Sequence, residues 1–160
     1  MKHDFTIVVD SREKVDFWEF SHAGYETVVA GLKSADYSIV GFEDQISIER
    51  KKTPAELATN LGKHLVRFKA ELERLRSYKV KYVLLEFSLN DLLVYPIGSD
   101  VPRKQWKFIK MNGKYMVKLV DELAAEYDIQ FLYCNDKTEA ESTALQILET
   151  FYAEATNKKM

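Results

Sequence analysis

Residues that cross-link or interrupt a chain are scarce in this sequence. Its 160 residues include one cysteine, three prolines and six glycines, which excludes an intrachain disulfide, a thiolate zinc site and a collagen-like or low-complexity chain. No apolar run approaches the ~20 residues that a membrane-spanning helix needs, and the N-terminus lacks the apolar stretch of a signal peptide. Neither a Walker loop nor a GxGxxG motif is present, so we expect no nucleotide cofactor. These absences predict a cytoplasmic protein without membrane contact, and the length predicts one domain over residues 1–160.

Neither sign of charge dominates the composition. The net charge of −2, from 23 Lys and Arg against 25 Asp and Glu, argues against a protein that coats nucleic acid through bulk positive charge. The mean conceals a local excess, because residues 101–118 contain no acid and carry Arg103, Lys104, Lys107, Lys110, Lys114 and Lys118, interleaved with Trp106, Phe108 and Tyr115. Such a segment can hold phosphates and stack on unpaired bases. A core position for Trp106 and Phe108, with the lysines as a solvated rim, is an equal alternative.

Strand-like and helix-like segments alternate along the chain, which predicts an α/β domain with a central sheet flanked by helices. Apolar, β-branched stretches predict strands at residues 5–10, 37–42, 45–50, 80–87 and 129–134, with a hairpin between the second and the third. Apolar stripes of helical spacing run over residues 25–32, 57–75, 116–127 and 145–152. A helical crossover between the last two strands implies that they pair in parallel.

Capping patterns predict where the longer helices begin. Thr53-Pro54-Ala55-Glu56 combines an N-cap, a first-turn proline and a capping-box glutamate, and predicts one helix that continues through Leu75. Thr138-Glu139-Ala140-Glu141 is a second capping box, which predicts the start of the last helix. Asn112-Gly113 is interpreted as a break before a helix, with a hairpin turn as the alternative.

Acidic residues stand at the ends of the first three predicted strands. Asp10 ends the first, Asp36 begins the second, and Glu49 and Lys51 end the third. If the second and third strands pair as a hairpin, Asp36 and Glu49 meet at one edge of the sheet, and Glu49 and Lys51 share a face. Carboxylates are the hard oxygen ligands that Mg²⁺ prefers, and a nearby lysine can act on the attacking water or on the transition state. The alternative is a set of solvated acids with a surface ion pair between Glu49 and Lys51.

Taken together, these residues resemble the nuclease domain of the XPF family, a branch of the PD-(D/E)XK restriction-endonuclease-like superfamily. The matching motifs, in the family's order, are Val9-Asp10-Ser11-Arg12-Glu13, Ala35-Asp36-Tyr37 and Glu49-Arg50-Lys51. A downstream helix with Arg67-Phe68 and Glu71-Leu72-Glu73-Arg74-Leu75 is also similar to the family's. The resemblance covers roughly the first ninety residues and implies a central mixed β-sheet flanked by helices.

The resemblance implies a metal-dependent endonuclease that hydrolyses DNA phosphodiester bonds, selective for branched, flap or single-strand-containing DNA. Carried over by residue, Asp10, Asp36 and Glu49 would bind Mg²⁺ or Mn²⁺, and Lys51 would act on the nucleophilic water or the transition state. Glu13 would support the metal or its water shell, while Arg12 and Arg50 would steer the phosphate or brace the acids. The predicted DNA contacts are Arg12 from the resemblance, Arg67 from the polar side of the long helix, and, from the charge pattern of the basic segment, Arg103, Lys104, Trp106, Lys107, Lys110 and Lys114.

Two departures from the family pattern limit what the resemblance carries. Ala35 stands where the family has glycine, which indicates that this backbone position avoids positive φ. Neither the helix-hairpin-helix module nor the helicase portion of larger members is present, so the chain looks like the compact versions of phages and bacteria, which would act in the cytoplasm of the cell or host. The family analogy also suggests a homodimer through Ala144, Leu148, Phe151 and Tyr152, with packing into the chain's own sheet as the alternative. The rival function is a non-catalytic XPF-like module that binds DNA or dimerises.

Overall fold

The computed structural model describes residues 4–13 and 16–156, and a six-stranded mixed sheet forms its centre. The strands are β1 (Ile7–Asp10), β2 (Thr27–Ala30), β3 (Tyr37–Ile39), β4 (Ile46–Lys51), β5 (Val80–Leu85) and β6 (Gln130–Tyr133). Their order is β2-β1-β3-β4-β5-β6. Strand β1 runs parallel to β2 and antiparallel to β3, β3 is antiparallel to β4, and β4, β5 and β6 are parallel. The predicted mixed sheet, the hairpin and the parallel last pair are confirmed.

Helices cover both faces of this sheet. They are α1 (Pro54–Leu61), α2 (Leu65–Leu75), α3 (Leu89–Leu93), α4 (Gly113–Tyr127) and α5 (Lys137–Thr156), with 3₁₀ turns at Ser21–Ala23 and Arg103–Phe108. The core under α1, α2 and α4 includes Leu57, Phe68, Leu72, Met116 and Val120. The core under α5 includes Trp18, Phe20, Tyr37, Ala144 and Leu148. Helices α1, α2 and α4 bury apolar stripes of the predicted spacing, and the layers of helix on both faces of the sheet confirm the α/β class.

The long helix predicted from Thr53 to Leu75 is two helices. Helix α1 begins as predicted, because the Thr53 hydroxyl accepts the Glu56 N–H at 3.1 Å. The break falls at Gly62, whose N–H reaches the Ala58 carbonyl and where a Cβ would lie 3.1 Å from that same oxygen. The apolar spacing did not reveal the break, because both helices turn their stripes toward one core.

The helix predicted over residues 25–32 is wrong, since Thr27–Ala30 form the edge strand β2. This strand pairs in parallel with β1 over its whole length, with Val28 opposite Val8 and Val29 opposite Val9. The local apolar spacing fitted a helix, but the β-branched pair and the free edge of β1 favour a strand. Helix α3, capped by the Ser88 hydroxyl, was not predicted.

Two other helix starts are settled by their caps. The Asn112 side chain accepts the Tyr115 N–H at 2.9 Å and caps α4, so the alternative hairpin at Asn112-Gly113 is wrong. Helix α5 begins one residue before the predicted capping box, because Asp136 accepts the Glu139 N–H at 2.8 Å. Aspartate is as good an N-cap as threonine and stands closer to the end of β6.

The residues suggested for a dimer contact are used within the chain. Ala144 and Leu148 are fully buried and Phe151 is 6% exposed, and all three pack in the core between α5 and the sheet. Tyr152 lies against the ring of Phe5. The alternative, packing into the chain's own sheet, is therefore the one observed. Within residues 4–13 and 16–156, no helix is both long and apolar enough to cross a membrane.

We predict that Gly113→Ala destabilises the fold, because a Cβ at this position would clash with the backbone carbonyl oxygens of Leu92 and Leu93 in α3. Overpacking of this kind costs about 1–3 kcal/mol in free energy of unfolding. Gly31→Ala is the matched control, since a methyl group there meets nothing within 4 Å. Urea unfolding of both variants checks the prediction, and equal midpoints would contradict the close contact between α3 and α4.

Candidate metal centre

Backbone pairing brings the ends of three strands to one point. Asp36, just before β3, accepts the Asp10 N–H through its carbonyl at 2.8 Å and donates its own N–H to Ile48 of β4 at 2.9 Å. Its side chain then accepts the Arg50 N–H through Oδ2 at 2.8 Å. These bonds bring Asp10, Asp36 and the last residues of β4 to the same end of the sheet, and the pairing of Asp36 with β4 is the one that the hairpin predicted.

The turn that presents Asp36 is strained at the preceding residue. Ala35 has φ 65°, in the left-handed region, so the expectation that alanine marks a position avoiding positive φ is wrong. A Cβ in this region costs roughly 1–2 kcal/mol, and single residues are held there only by their surroundings. Here the hydrogen bonds of Asp36 on both sides, and the 2% exposure of Ala35, supply those surroundings.

Glu49 is a buried acid with one carboxylate oxygen that has no partner. The residue is 4% exposed, and its Oε2 binds Lys51 Nζ at 2.8 Å on the same face of β4. Its Oε1 is buried and has no hydrogen-bond partner. Lys51 Nζ also lies 5.1 Å from the centre of the Phe68 ring, so α2 closes this side of the site. A buried carboxylate oxygen without a donor is costly, which makes Glu49 Oε1 a position for a cation.

Asp10 is held by donors on both of its oxygens. The Leu32 N–H reaches Oδ1 at 2.9 Å, and Arg12 reaches Oδ2 through Nε at 2.6 Å and through its backbone N–H at 3.2 Å. Burial raises the pKa of Asp10, but these hydrogen bonds outweigh it and hold the pKa below its ordinary value. Arg12 therefore braces an acid, while its side chain remains 70% exposed to solvent.

Glu71 is an acid of the site to which sequence reasoning assigned no role. It lies on α2 between the buried residues Phe68 and Leu72, and its carboxyl group faces Glu49. Burial and the charge of Glu49 raise the pKa of Glu71 to about 8. The one available signal was its position beside the buried stripe of α2, where a charge is unusual.

Carboxyl groups at this edge outnumber the basic side chains that bind them. Burial, followed by the charges of Glu49 and Glu13, raises the pKa of Asp36 well above its ordinary value. Within the described residues, no three Asp, Glu, His or Cys side chains already converge as a metal cluster. The residues nevertheless fit a hard divalent cation, because their donors are carboxylate oxygens, Glu49 Oε1 lacks a partner, and the excess charge is relieved by a cation.

Arg50 is the centre of a buried network beside the acids. Its side chain is inaccessible to solvent and binds Glu86 through Nε at 2.7 Å and Glu13 through Nη1 at 3.1 Å. The guanidinium lies over the Trp18 ring, whose Nε1 donates to Glu86 at 2.7 Å, and the Tyr37 hydroxyl donates to Glu13 at 2.8 Å. This placement favours a bracing role for Arg50 and fixes Glu13 next to the site. Glu86 was not singled out from the sequence.

The basic segment 101–118 is at the surface. Its six basic side chains are exposed, Phe108 is 73% and Tyr115 46% exposed, and Trp106 is half-buried with its Nε1 bonded to the Val101 carbonyl. The alternative that placed Trp106 and Phe108 in the core is therefore wrong. Arg103 and Lys107 lie over the Trp106 and Phe108 rings, at 5.3 and 5.2 Å from the ring centres.

The segment follows the acidic edge along the chain through residues 86–100, which include helix α3. Leu85 at the end of β5 lies opposite Lys51, so the chain leaves the sheet at the edge that carries the acids. A cleft of ≈ 300 Å³ follows there, lined from both sides by Lys52, Thr53, Glu86, Tyr95 and Gly98 among others. Arg67, exposed on α2, precedes Glu71 by one helical turn.

Comparison with known proteins identifies relatives of this fold. The family model of the ERCC4 domain matches residues 9–145. The structure of XPF from Aeropyrum pernix is similar with a TM-score of 0.64 and 22% identity, over 96% of this chain and 66% of that one. A structure of XPF from the same organism in complex with DNA is similar with a TM-score of 0.63 and 21% identity, over 98% of this chain and 68% of that one. This likeness shows the fold, a restriction-endonuclease-like sheet flanked by helices, and the chain spans about two thirds of these XPF chains. No curated protein matches it in sequence.

We predict that Glu86→Gln lowers the free energy of unfolding by roughly 2–3 kcal/mol, because it removes one of the two carboxylates that bind a fully buried guanidinium. Glu73→Gln removes an exposed partner of Arg76 and should change the free energy of unfolding by less than about 0.5 kcal/mol. Urea unfolding without divalent metal measures both. Similar losses in the two variants would contradict a structural role for the Arg50 network.

Proposed function

The chain belongs to the ERCC4 domain family, and from that premise we propose that it is a divalent-metal-dependent endonuclease that hydrolyses DNA phosphodiester bonds. The observation that carries the proposal is the backbone pairing that brings Asp10, Asp36 and the end of β4 together, with Glu49 and Lys51 on one face of β4. The similar XPF structure in complex with DNA supports nucleic acid as the partner.

The carboxylates of Asp10, Asp36 and Glu49 would hold Mg²⁺ or Mn²⁺ in this function. When bound, the ion supplies an activated water and neutralises charge on the phosphate. Among these ligands, Glu49 contributes its free Oε1, and Asp36 is fixed by the Arg50 N–H. Asp10 is presented in its charged form by Arg12 and Leu32, which donate to both of its oxygens.

Lys51 acts in this scheme as a cation. Burial lowers the pKa of Lys51, but the charges of Glu49 and Glu71 outweigh that effect and raise the pKa above its usual value. An ammonium so held cannot readily take a proton from water. It can donate to a phosphate oxygen and stabilise the charge that develops there, a contribution that depends on its fixed position.

The substrate we propose is DNA that contains single-stranded parts, such as flaps or forks. Exposed aromatic rings next to cations stack on unpaired bases and are of little use against paired ones. Phe108 and Lys107 form such a pair, as do Trp106 and Arg103. Arg12, exposed and bonded to Asp10, and Arg67, exposed one helical turn before Glu71, would hold phosphates near the scissile bond.

A homodimer remains part of the proposal, with an interface that differs from the one first suggested. The suggested residues of α5 are buried in the chain's own core, so a second copy would have to bind elsewhere. Sedimentation of the purified chain at micromolar concentration tests this point, and a single monomeric species would remove the dimer from the proposal.

We predict that Asp36→Asn abolishes DNA cleavage in Mg²⁺ and Mn²⁺ while leaving the metal-free protein as stable as the wild type or more stable. The amide keeps an acceptor for the Arg50 N–H and removes a charge that Glu49 and Glu13 repel. Lys51→Ala should also abolish cleavage, but with a loss of stability, because it leaves Glu49 buried without its cation.

Cleavage of single-stranded, duplex, flap and forked DNA, with thermal unfolding in EDTA, checks this prediction. Full activity of either variant would contradict the assigned site. Binding of the panel without cleavage by the wild type would favour the non-catalytic DNA-binding module instead.

We predict that Phe108→Ala weakens single-stranded DNA binding about tenfold, as expected when one base loses a stacking partner worth ~1–3 kcal/mol. Lys107→Ala should reduce the salt dependence of binding by about one phosphate contact. Lys79→Ala is the matched control, because Lys79 is exposed just before β5, at the edge of the sheet opposite to the acids. Fluorescence anisotropy in EDTA measures all three, and equal losses across them would contradict a defined DNA surface.

A further inference from the structure

We infer that Glu71 is a fourth carboxylate of the metal centre, which holds the divalent cation together with Glu49. The inference rests on the proposed function, since it concerns the same metal, and it adds a ligand from a helix to three that come from strand ends. Three observations support it: the position of Glu71 in the fold, the unpartnered oxygen that Glu71 faces, and the contrast with Glu73.

Helix α2 places Glu71 firmly. Phe68, Leu72 and Leu75 are buried at 1% exposure or less, so the helix is fixed against the sheet by one continuous apolar stripe. Glu71 stands between these residues, three positions after Phe68, whose ring lies 5.1 Å from Lys51 Nζ. Residues three and four apart on a helix share a face. The side of α2 that contacts Lys51 therefore also carries Glu71.

The carboxyl group that Glu71 faces has an oxygen without a partner. Glu49 is 4% exposed, its Oε2 binds Lys51 at 2.8 Å, and its Oε1 meets no donor. Two charged carboxylates that face each other repel, and they are brought together either by a proton that they share or by a cation between them. Lys51 already occupies the other oxygen of Glu49. A divalent cation satisfies Glu49 Oε1 and Glu71 together, and its carboxylate chemistry is that of the other acids at this edge.

The neighbouring glutamate on the same helix, Glu73, has different surroundings from those of Glu71. Glu73 is two residues further on, on the opposite side of α2, with its side chain 59% exposed and paired with Arg76 at 3.0 Å. Glu71 is half-buried, and Arg74 on the same helix donates to the Ser34 hydroxyl at 3.3 Å. The two glutamates offer the same chemistry in different surroundings, so they form a matched pair of substitutions.

Isothermal titration of the full chain with Mn²⁺ alone, without DNA, tests the inference. We expect Glu71→Gln to weaken Mn²⁺ binding at least tenfold in Kd and to lose the rise in Tm that Mn²⁺ produces in the wild type. Glu73→Gln should bind Mn²⁺ within twofold of the wild type, and Glu71→Asp should retain part of the affinity. In EDTA the Tm of Glu71→Gln should equal or exceed that of the wild type, because the neutral amide keeps the shape of the carboxyl group beside Glu49.

The outcomes separate the inference from the function on which it rests. Unchanged Mn²⁺ binding in Glu71→Gln, with normal binding by the wild type and loss in Glu49→Gln, would overturn the role of Glu71 and leave the proposed nuclease intact. Equal losses in Glu71→Gln and Glu73→Gln would also overturn it, because the effect would then be one of net charge. Absence of Mn²⁺ binding by the wild type would overturn the metal-dependent function itself.

Discussion

The structure depends on the hydrogen bonds through which Asp36 joins three strands. Its carbonyl oxygen and its N–H connect the ends of β1 and β4, and its carboxylate accepts the Arg50 N–H. These bonds place the acids of β1 and β4 together and hold Ala35 at a positive φ that alanine disfavours. The same residue is thus a joint of the sheet and an acid of the site. Because Asp36 joins the strands mainly through its backbone groups, its carboxylate can carry an unfavourable charge without separating the strands.

The charges around that joint are unevenly matched, which explains where a metal ion fits. Asp10 has Arg12, Glu49 has Lys51, and Glu13 shares Arg50 with Glu86. Asp36 accepts only a backbone N–H, and Glu71 faces another acid. The two pKa values that are raised among these carboxyl groups belong to the two that lack a basic side chain as a close partner. Under the proposed function, a divalent cation would supply the missing counter-charge, and binding it would relieve an imbalance that the fold maintains.

Local motifs predicted the acids at the sheet edge, because strand alternation and hairpin geometry are short-range rules that need no knowledge of the rest of the chain. Edge strand β2 and the break at Gly62 were missed, since both are decided by partners distant in sequence: the free side of β1 and the core shared by α1 and α2. Glu71 and Glu86 were missed for the same reason. Each is an ordinary glutamate in the sequence, and only the packing of α2 and β5 against β4 gives it a role.

The near-neutral charge of the chain is the sum of regions that perform different tasks. Uncompensated carboxylates at the sheet edge repel a phosphate backbone, so they suit DNA only after a cation has bound. The positive residues of the segment 101–118 lie outside that edge. The chain passes from β5 to this segment through residues that line the cleft beside Lys52 and Glu86. Under the proposed function this separation orders the events. The basic segment can bind DNA with or without the metal. The acids can accept a phosphate only after the metal has bound. DNA that binds to the segment is therefore not brought to a metal site that lacks its metal.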